Sequence, residues 1–200
     1  MDIKSQIAPK GLEFKAADFV ISDKYATILT IVSYPKYIEP GYLSNLTSMS
    51  GIKVVIKHLP LPFDVLRKML NKEIADLKQR YHEENDKTIQ ERIRQDYESL
   101  EQFISQIAAS QSKIYDFQMH IMITADSQEE LTGKKFQVKN YLEAMEMKAF
   151  PLRFEQEKVL KSMIPIFPKQ DIEDRIGTPM PTPTMAAMYP FIFDSIKDPG

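Results

Sequence analysis

Cysteine and tryptophan are absent from the 200 residues, and glycine occurs only six times. Without cysteine there is no disulfide scaffold and no thiolate metal site, which fits a cytoplasmic address. Six scattered glycines form no dinucleotide-binding fingerprint. The one Gly-Lys pair, Gly133-Lys134, has no upstream glycine to complete a phosphate-cradling loop. No run approaches the roughly 18 apolar residues of a membrane span, and Met1-Asp2-Ile3-Lys4 leads into no apolar signal region. A surplus of either charge is missing too. The net charge is −2, and segments 1–61, 62–112, 113–164 and 165–200 carry about +2, −2, 0 and −2. A module that grips a nucleic-acid backbone needs a basic excess that no segment has.

What is present is an ordinary globular composition, 43% apolar and 27% charged. Residues 25–34 are β-branched and aromatic with apolar side chains on both faces, as in a central strand covered on two sides. Residues 52–58 alternate, with Ile52, Val54, Ile56 and His58 on one face and Lys53, Val55 and Lys57 on the other. Lysines on an open face are what edge strands use against stray pairing. Residues 117–125 alternate again, with Phe117, Met119, Ile121 and Ile123 sharing a face. A fourth strand over 148–154 is confined to a sheet edge by Pro151, which cannot donate to a ladder.

Helices are expected over 41–49 and over 128–146, the second started by a capping box of Ser127 and Glu130. The longest helical signal runs over 63–111. Leu66, Leu70, Ile74, Leu77 and Tyr81 form one stripe; Ile89, Ile93, Tyr97, Leu100, Ile104 and Ile107 form another. Between them His82–Lys87 lacks an apolar anchor, and Thr88 with Glu91 forms a second capping-box pattern. One straight helix of this length would span about 73 Å, too far for both ends to meet one small sheet. The spacing therefore predicts an antiparallel helical hairpin turning near 83–87.

The order strand, helix, strand, hairpin, strand, helix, strand is α+β. It reads as a ferredoxin-like split βαβ antiparallel sheet with the hairpin inserted, over residues 1–164. Leu12–Ile21 with its Ser22-Asp23-Lys24 turn also reads as a strand pairing with 25–34, although both neighbours of that strand are already assigned. From 165 onward the chain reads as a Pro-rich linker or tail: residues 165–200 hold 7 of the 13 prolines. This tail carries an apolar run in which Met185, Met188, Tyr189, Phe191, Ile192 and Phe193 are the candidate interaction residues. The chain is accordingly expected to be an amino-terminal piece of a longer protein.

No catalytic, cofactor-binding or metal-binding residue emerges. His58, His82 and His120 are isolated in sequence and read as packed or surface histidines. Glu83-Glu84-Asn85-Asp86 reads as a solvated hairpin tip, lacking the glycine and terminal glutamate of a calcium loop. The charges from Glu91 to Glu101 read as an exposed helix face with i, i+4 pairs such as Arg94–Glu98.

Several stretches resemble the amino-terminal region of conjugal-transfer ATPases. They are Lys10-Gly11-Leu12-Glu13-Phe14, Ser22-Asp23-Lys24-Tyr25-Ala26-Thr27, Tyr34-Pro35, Gln118-Met119-His120, Phe154-Glu155-Gln156-Glu157-Lys158, Ser162-Met163-Ile164-Pro165 and Ala186-Ala187-Met188-Tyr189-Pro190-Phe191. The family is the TrbE/CagE-type ATPase of type IV secretion systems, in versions found on Gram-positive mobile elements. The resemblance implies a RecA-like motor with Walker motifs further along the parent protein, where ATP and magnesium would bind. For this piece it implies no cofactor and no enzyme activity. It implies a docking and assembly domain, peripheral at the inner face of the membrane, with channel proteins, its own motor domain and neighbouring copies as partners. A DNA-contacting accessory domain of the same machine is the alternative, against which the near-neutral charge weighs.

Overall fold

In a computed structural model of the protein, described for residues 11–35, 41–110 and 112–187, strands and helices follow one another as a mixed α+β chain around an antiparallel sheet. In chain order they are β1 (Leu12–Phe14), β2 (Phe19–Ile21), β3 (Lys24–Ser33), α1 (Ser44–Thr47), β4 (Ile52–Leu61), α2 (Phe63–Glu83) and α3 (Lys87–Ser110). Then come β5 (Ile114–Ala125), α4 (Gln128–Ala144), β6 (Lys148–Pro151), α5 (Gln156–Ser162), α6 (Glu173–Ile176), β7 (Thr178–Pro181) and α7 (Thr182–Ala187). The described residues divide into two compact units. One is built from residues up to His58 and from Phe117–Thr178, the other from Leu59–Asp116 and Pro179–Met185; β4 and β5 each contribute to both.

In the first unit β3 pairs antiparallel with β5, and β4 lies on the far side of β5. The other edge of β3 is shared by two short strands. β2 pairs with its first residues, Phe19 opposite Ala26 and Ile21 opposite Lys24. β6 pairs with its last, Pro151 opposite Leu29 and Lys148 opposite Ser33. This division answers how Leu12–Ile21 finds a partner: a ten-residue strand is long enough for two neighbours placed end to end. The β2–β3 turn holds Ser22 at φ 58°. β3 is apolar on both faces because both are covered. Ala26 and Ile28 pack with Phe19, Val159 and Ile172. The alternate residues Leu29 and Ile31 are buried on the opposite face, and α4, whose Leu131, Val138 and Leu142 are buried, packs on β3. Gly51, at φ 79°, leads into β4. A Cβ there would meet the Thr124 carbonyl oxygen at 2.5 Å, so only glycine fits.

Ser127 caps α4 as expected, its Oγ accepting from the Glu130 N–H at 3.1 Å. The glutamate of this capping box reaches one residue further back and accepts from the Asp126 N–H at 2.9 Å.

The second unit is dominated by α2 and α3, which pack along each other. The helical signal breaks at 84–86, and the stripes meet as the periodicity requires: Leu66, Ile74, Leu77, Ile93 and Ile107 are buried. Two expectations fail locally. Asp86, not Thr88, caps α3, its Oδ1 accepting from the N–H groups of Thr88 (2.7 Å) and Ile89 (3.2 Å). Glu91 is then free to pair with Arg94. Ile89 is 44% exposed. The inward position is taken by Gln90, whose Nε2 donates to the carbonyls of Glu84 (2.7 Å) and Tyr81 (3.2 Å) at the end of α2. Carbonyls left over at a helix end outrank one more apolar contact.

Residues 165–187, read from sequence as the start of a linker, carry α6, β7 and α7. Ile172, Glu173 and Met180 are buried there, and β7 pairs with β5. Proline is tolerated in β7 because the strand is only four residues long and needs few donors.

Candidate functional site

The first unit encloses a polar centre assembled from β3, β4, β5 and α6. The register sets Thr30 opposite His120, which places their side chains on one face. Thr30 Oγ1 lies 3.1 Å from His120 Nδ1. His120 is fully buried. Burial first, and the nearby Lys57 ammonium second, push its pKa down to about 4, with Glu173 pulling weakly the other way. The imidazole is therefore neutral at pH 7, and its Nε2 has no hydrogen-bond partner among the described residues.

Lys57 Nζ is in ion-pair contact with Glu173 Oε2. The Glu173 side chain is only 1% exposed and that of Lys57 26%. The other carboxylate oxygen accepts from the Gln170 N–H at 2.9 Å, and the Glu173 carbonyl accepts from Gln118 Nε2 at 2.9 Å. Side chain and backbone of one residue are thus both held from the sheet, and the short helix α6 is fixed by them. Thr30, His120 and the Glu173 carboxylate are all enclosed, and through Glu173 the centre locks the α6 segment against the sheet.

A second device closes the gap between β2 and β6. Neither strand pairs with Ile28. The Gln156 amide does so instead: Oε1 accepts from the Ile28 N–H at 2.8 Å, and Nε2 donates to the Ile28 carbonyl at 3.1 Å. A primary amide offers the same donor and acceptor as a peptide group, so one side chain stands in for a strand residue. Gln156 is 1% exposed. Just before it, Phe154 adopts φ 62°, and its N–H donates to the Ala16 carbonyl at 2.6 Å.

In the second unit a cavity of about 430 Å³ is lined by Pro60, Leu61, Pro62, Phe63, Ile114 and Tyr115, with Ser112 and Lys113 at its polar side. Thr182 donates to the Lys113 carbonyl through both its N–H (3.1 Å) and its Oγ1 (3.0 Å). Pro60, Leu61, Pro62, Phe63 and Ile114 make most of the lining apolar.

Of the candidate interaction residues, Met185 is half-buried on α7; Met188, Tyr189, Phe191, Ile192 and Phe193 lie outside the described residues. The hairpin-tip acids are occupied locally. Glu84 Oε1 accepts from the N–H groups of Asn85 and Asp86, and Asp86 caps α3. Among the described residues no group of three or more His, Asp or Glu is placed to hold a metal. Lys134 of the one Gly-Lys pair donates to the Thr124 carbonyl (3.1 Å) and to Glu130. Lys57, read as an open-face guard, is instead turned onto Glu173. The residues missed from sequence are Gln118, Gln156 and Glu173. Their only signal is a polar side chain beside apolar neighbours, which a solvated surface also shows. No described helix is long and apolar enough to cross a membrane. No protein-family model matches the chain, and no curated protein matches it significantly.

Proposed function

We propose that this chain is the non-catalytic amino-terminal docking and assembly domain of a TrbE/CagE-type conjugation ATPase. In this reading it is peripheral at the inner face of the membrane, joining a motor domain to channel proteins and to neighbouring subunits. Within the seven-stranded sheet the path β6-β3-β5-β4 supports reading a split βαβ ferredoxin-like unit, with α2 and α3 inserted between the second and third strands of the motif. In this reading the segment after α7 leads toward the motor, where ATP and magnesium are bound.

One observation carries the reading. Four residues of the stretches on which the resemblance rests lie where the sheet is held together. Gln118 and His120 belong to the polar centre, Gln156 closes the β3 edge, and Ser22 makes the β2–β3 turn. A resemblance confined to surface positions would carry less weight, because those are free to vary without cost to the fold. The sequence lacks the Gly-x-x-x-x-Gly-Lys-Ser/Thr motif that cradles a nucleotide phosphate, which supports the same reading.

Co-expression with the membrane channel proteins of a conjugative element tests it. A stable complex with one of them is expected, together with no heat beyond dilution on calorimetric titration with ATP and magnesium. Micromolar ATP binding, or salt-sensitive DNA binding without any channel-protein complex, overturns the reading.

A further inference from the structure

β4 is the terminal strand of the sheet order, ten residues long, and among the described residues its only strand neighbour is β5. Residues Ile52, Val54, Val55 and Ile56 are each only half-buried. The Gly51 carbonyl accepts from the Thr124 N–H at 2.8 Å, so the odd-numbered residues that follow point their backbone groups at β5. The groups of Ile52, Val54 and Ile56 point away from it. Pro60 has the same outward parity, where a residue without an N–H costs no ladder bond. An edge of this length with no described strand beside it is a template for an added strand.

Two lysines would normally defend it. Lys57 does not, because Glu173 holds it. That leaves Lys53, exposed, as the one unengaged charge of Ile52–Lys57. Residues 41–63 contain no aspartate or glutamate, so the strand and its flanks supply no carboxylate to offset it. A lone lysine of this kind repels basic strands and favours a carboxylate placed opposite on the same face. A second copy of the chain is a poor match. Antiparallel self-pairing centred on Val55 sets each Lys53 opposite Lys57, whose carboxylate partner Glu173 is already engaged, so a second copy offers Lys53 no anion.

We propose that the outer edge of β4, over 52–58, is a docking site for an extended, acidic segment of a partner protein, which adds to the sheet as a further strand. The backbone of Val54 and Ile56 supplies the ladder bonds, and Lys53 selects a carboxylate. The inference rests on the docking reading only for the partner's existence.

The test uses the 200-residue chain and a synthetic seven-residue probe of alternating valine and glutamate, N-methylated on one edge so that it cannot stack on itself. Amide hydrogen exchange and NMR shifts locate the bound probe. Slowed exchange at Val54 and Ile56 is expected. Lys53→Glu should weaken binding about fivefold. Ile56→Pro, which removes an outward N–H, should abolish binding, whereas Ile56→Ala, which trims the same side chain but keeps the N–H, should still bind the probe. No probe binding, protection elsewhere, or protection of the same amides by concentration-dependent dimerisation without probe each overturns the proposal. A channel-protein complex that survives Ile56→Pro sinks the edge site while leaving the docking function standing.

Discussion

The first unit encloses a lysine–glutamate pair, a histidine and two glutamine amides, whereas the ion pairs of α2 and α3 lie at the surface. Lys78–Glu101 at 2.6 Å joins the two helices with both side chains about half exposed. Arg94 bridges Glu91 and Glu98 along α3 in a similar setting. The difference follows from how each unit satisfies its backbone. Helices bond internally and need only an apolar seam, so charge stays in water where it contributes little. A sheet built from strands of three to twelve residues leaves gaps, and each buried gap must be closed by a polar group. Mutations should therefore act through lost packing in one unit and through orphaned polar groups in the other.

The largest effect tests the helical seam. Ile93→Asp removes a side chain that is 5% exposed and puts a carboxylate between the stripes. It should cost roughly 4–5 kcal/mol, read as a loss of helicity at 222 nm and a lower urea midpoint. Retention of both would mean that the seam does not hold the pair together. Next comes the buried ion pair. Lys57→Met strands the Glu173 carboxylate and should cost about 3–4 kcal/mol, while Lys57→Met with Glu173→Met should return to within about 1 kcal/mol of the parent. A double variant as unstable as the single one would show that the geometry of α6, not charge balance, is at stake.

Acid sharpens the same contrast. His120 has a folded pKa near 4, below the ordinary 6.5, so an unfolded chain binds a proton that the folded one refuses. Its contribution is intact above pH 6.5, falls as the pH drops through the window, and is gone by about pH 4. The integrated loss is about 3 kcal/mol. Urea titrations at pH 7, 5.5 and 4.5 should show it, and His120→Leu should flatten that part of the profile. An unchanged profile in the variant would remove His120 from the account. Gln156→Ala orphans the Ile28 N–H and carbonyl, at about 2 kcal/mol, with faster exchange at that amide as the local signature. The smallest effect is the control: Lys78→Ala on the exposed pair should leave the melting temperature unchanged within error.

This contrast also explains what could be read from the chain. The helix pair was legible because a 3.6-residue period persists over many turns, and a turn of six polar residues interrupts it. The strands at 25–34, 52–58 and 117–125 were legible from alternation and β-branching. Pro151 marked its strand as an edge, and Ser127 with Glu130 marked a helix start. The sequence alone does not separate a cap at Asp86 from one at Thr88, because two adjacent patterns compete and only backbone geometry chooses. The residues of 165–187 looked like a linker because proline frequency says nothing of burial, and Ile172 and Met180 are buried only because the chain returns to β3 and β5. Gln156 carried no readable role, since its partner, Ile28, lies 128 positions away.

That last contact has a consequence for how the chain tolerates change in length. Along the β3 edge, the β1–β2 hairpin and β6 never touch through their ladders; one glutamine from a third element fills the space between them. A joint of this kind works like a keystone: the two strands share no bond of their own, so both depend on the piece set between them. The loop 15–18 is tied to the same place, because the Ala16 carbonyl accepts from the Phe154 N–H and the Ala17 carbonyl from Thr27 Oγ1. Length changes should therefore be costly both in 15–18 and in the few residues between Pro151 and α5.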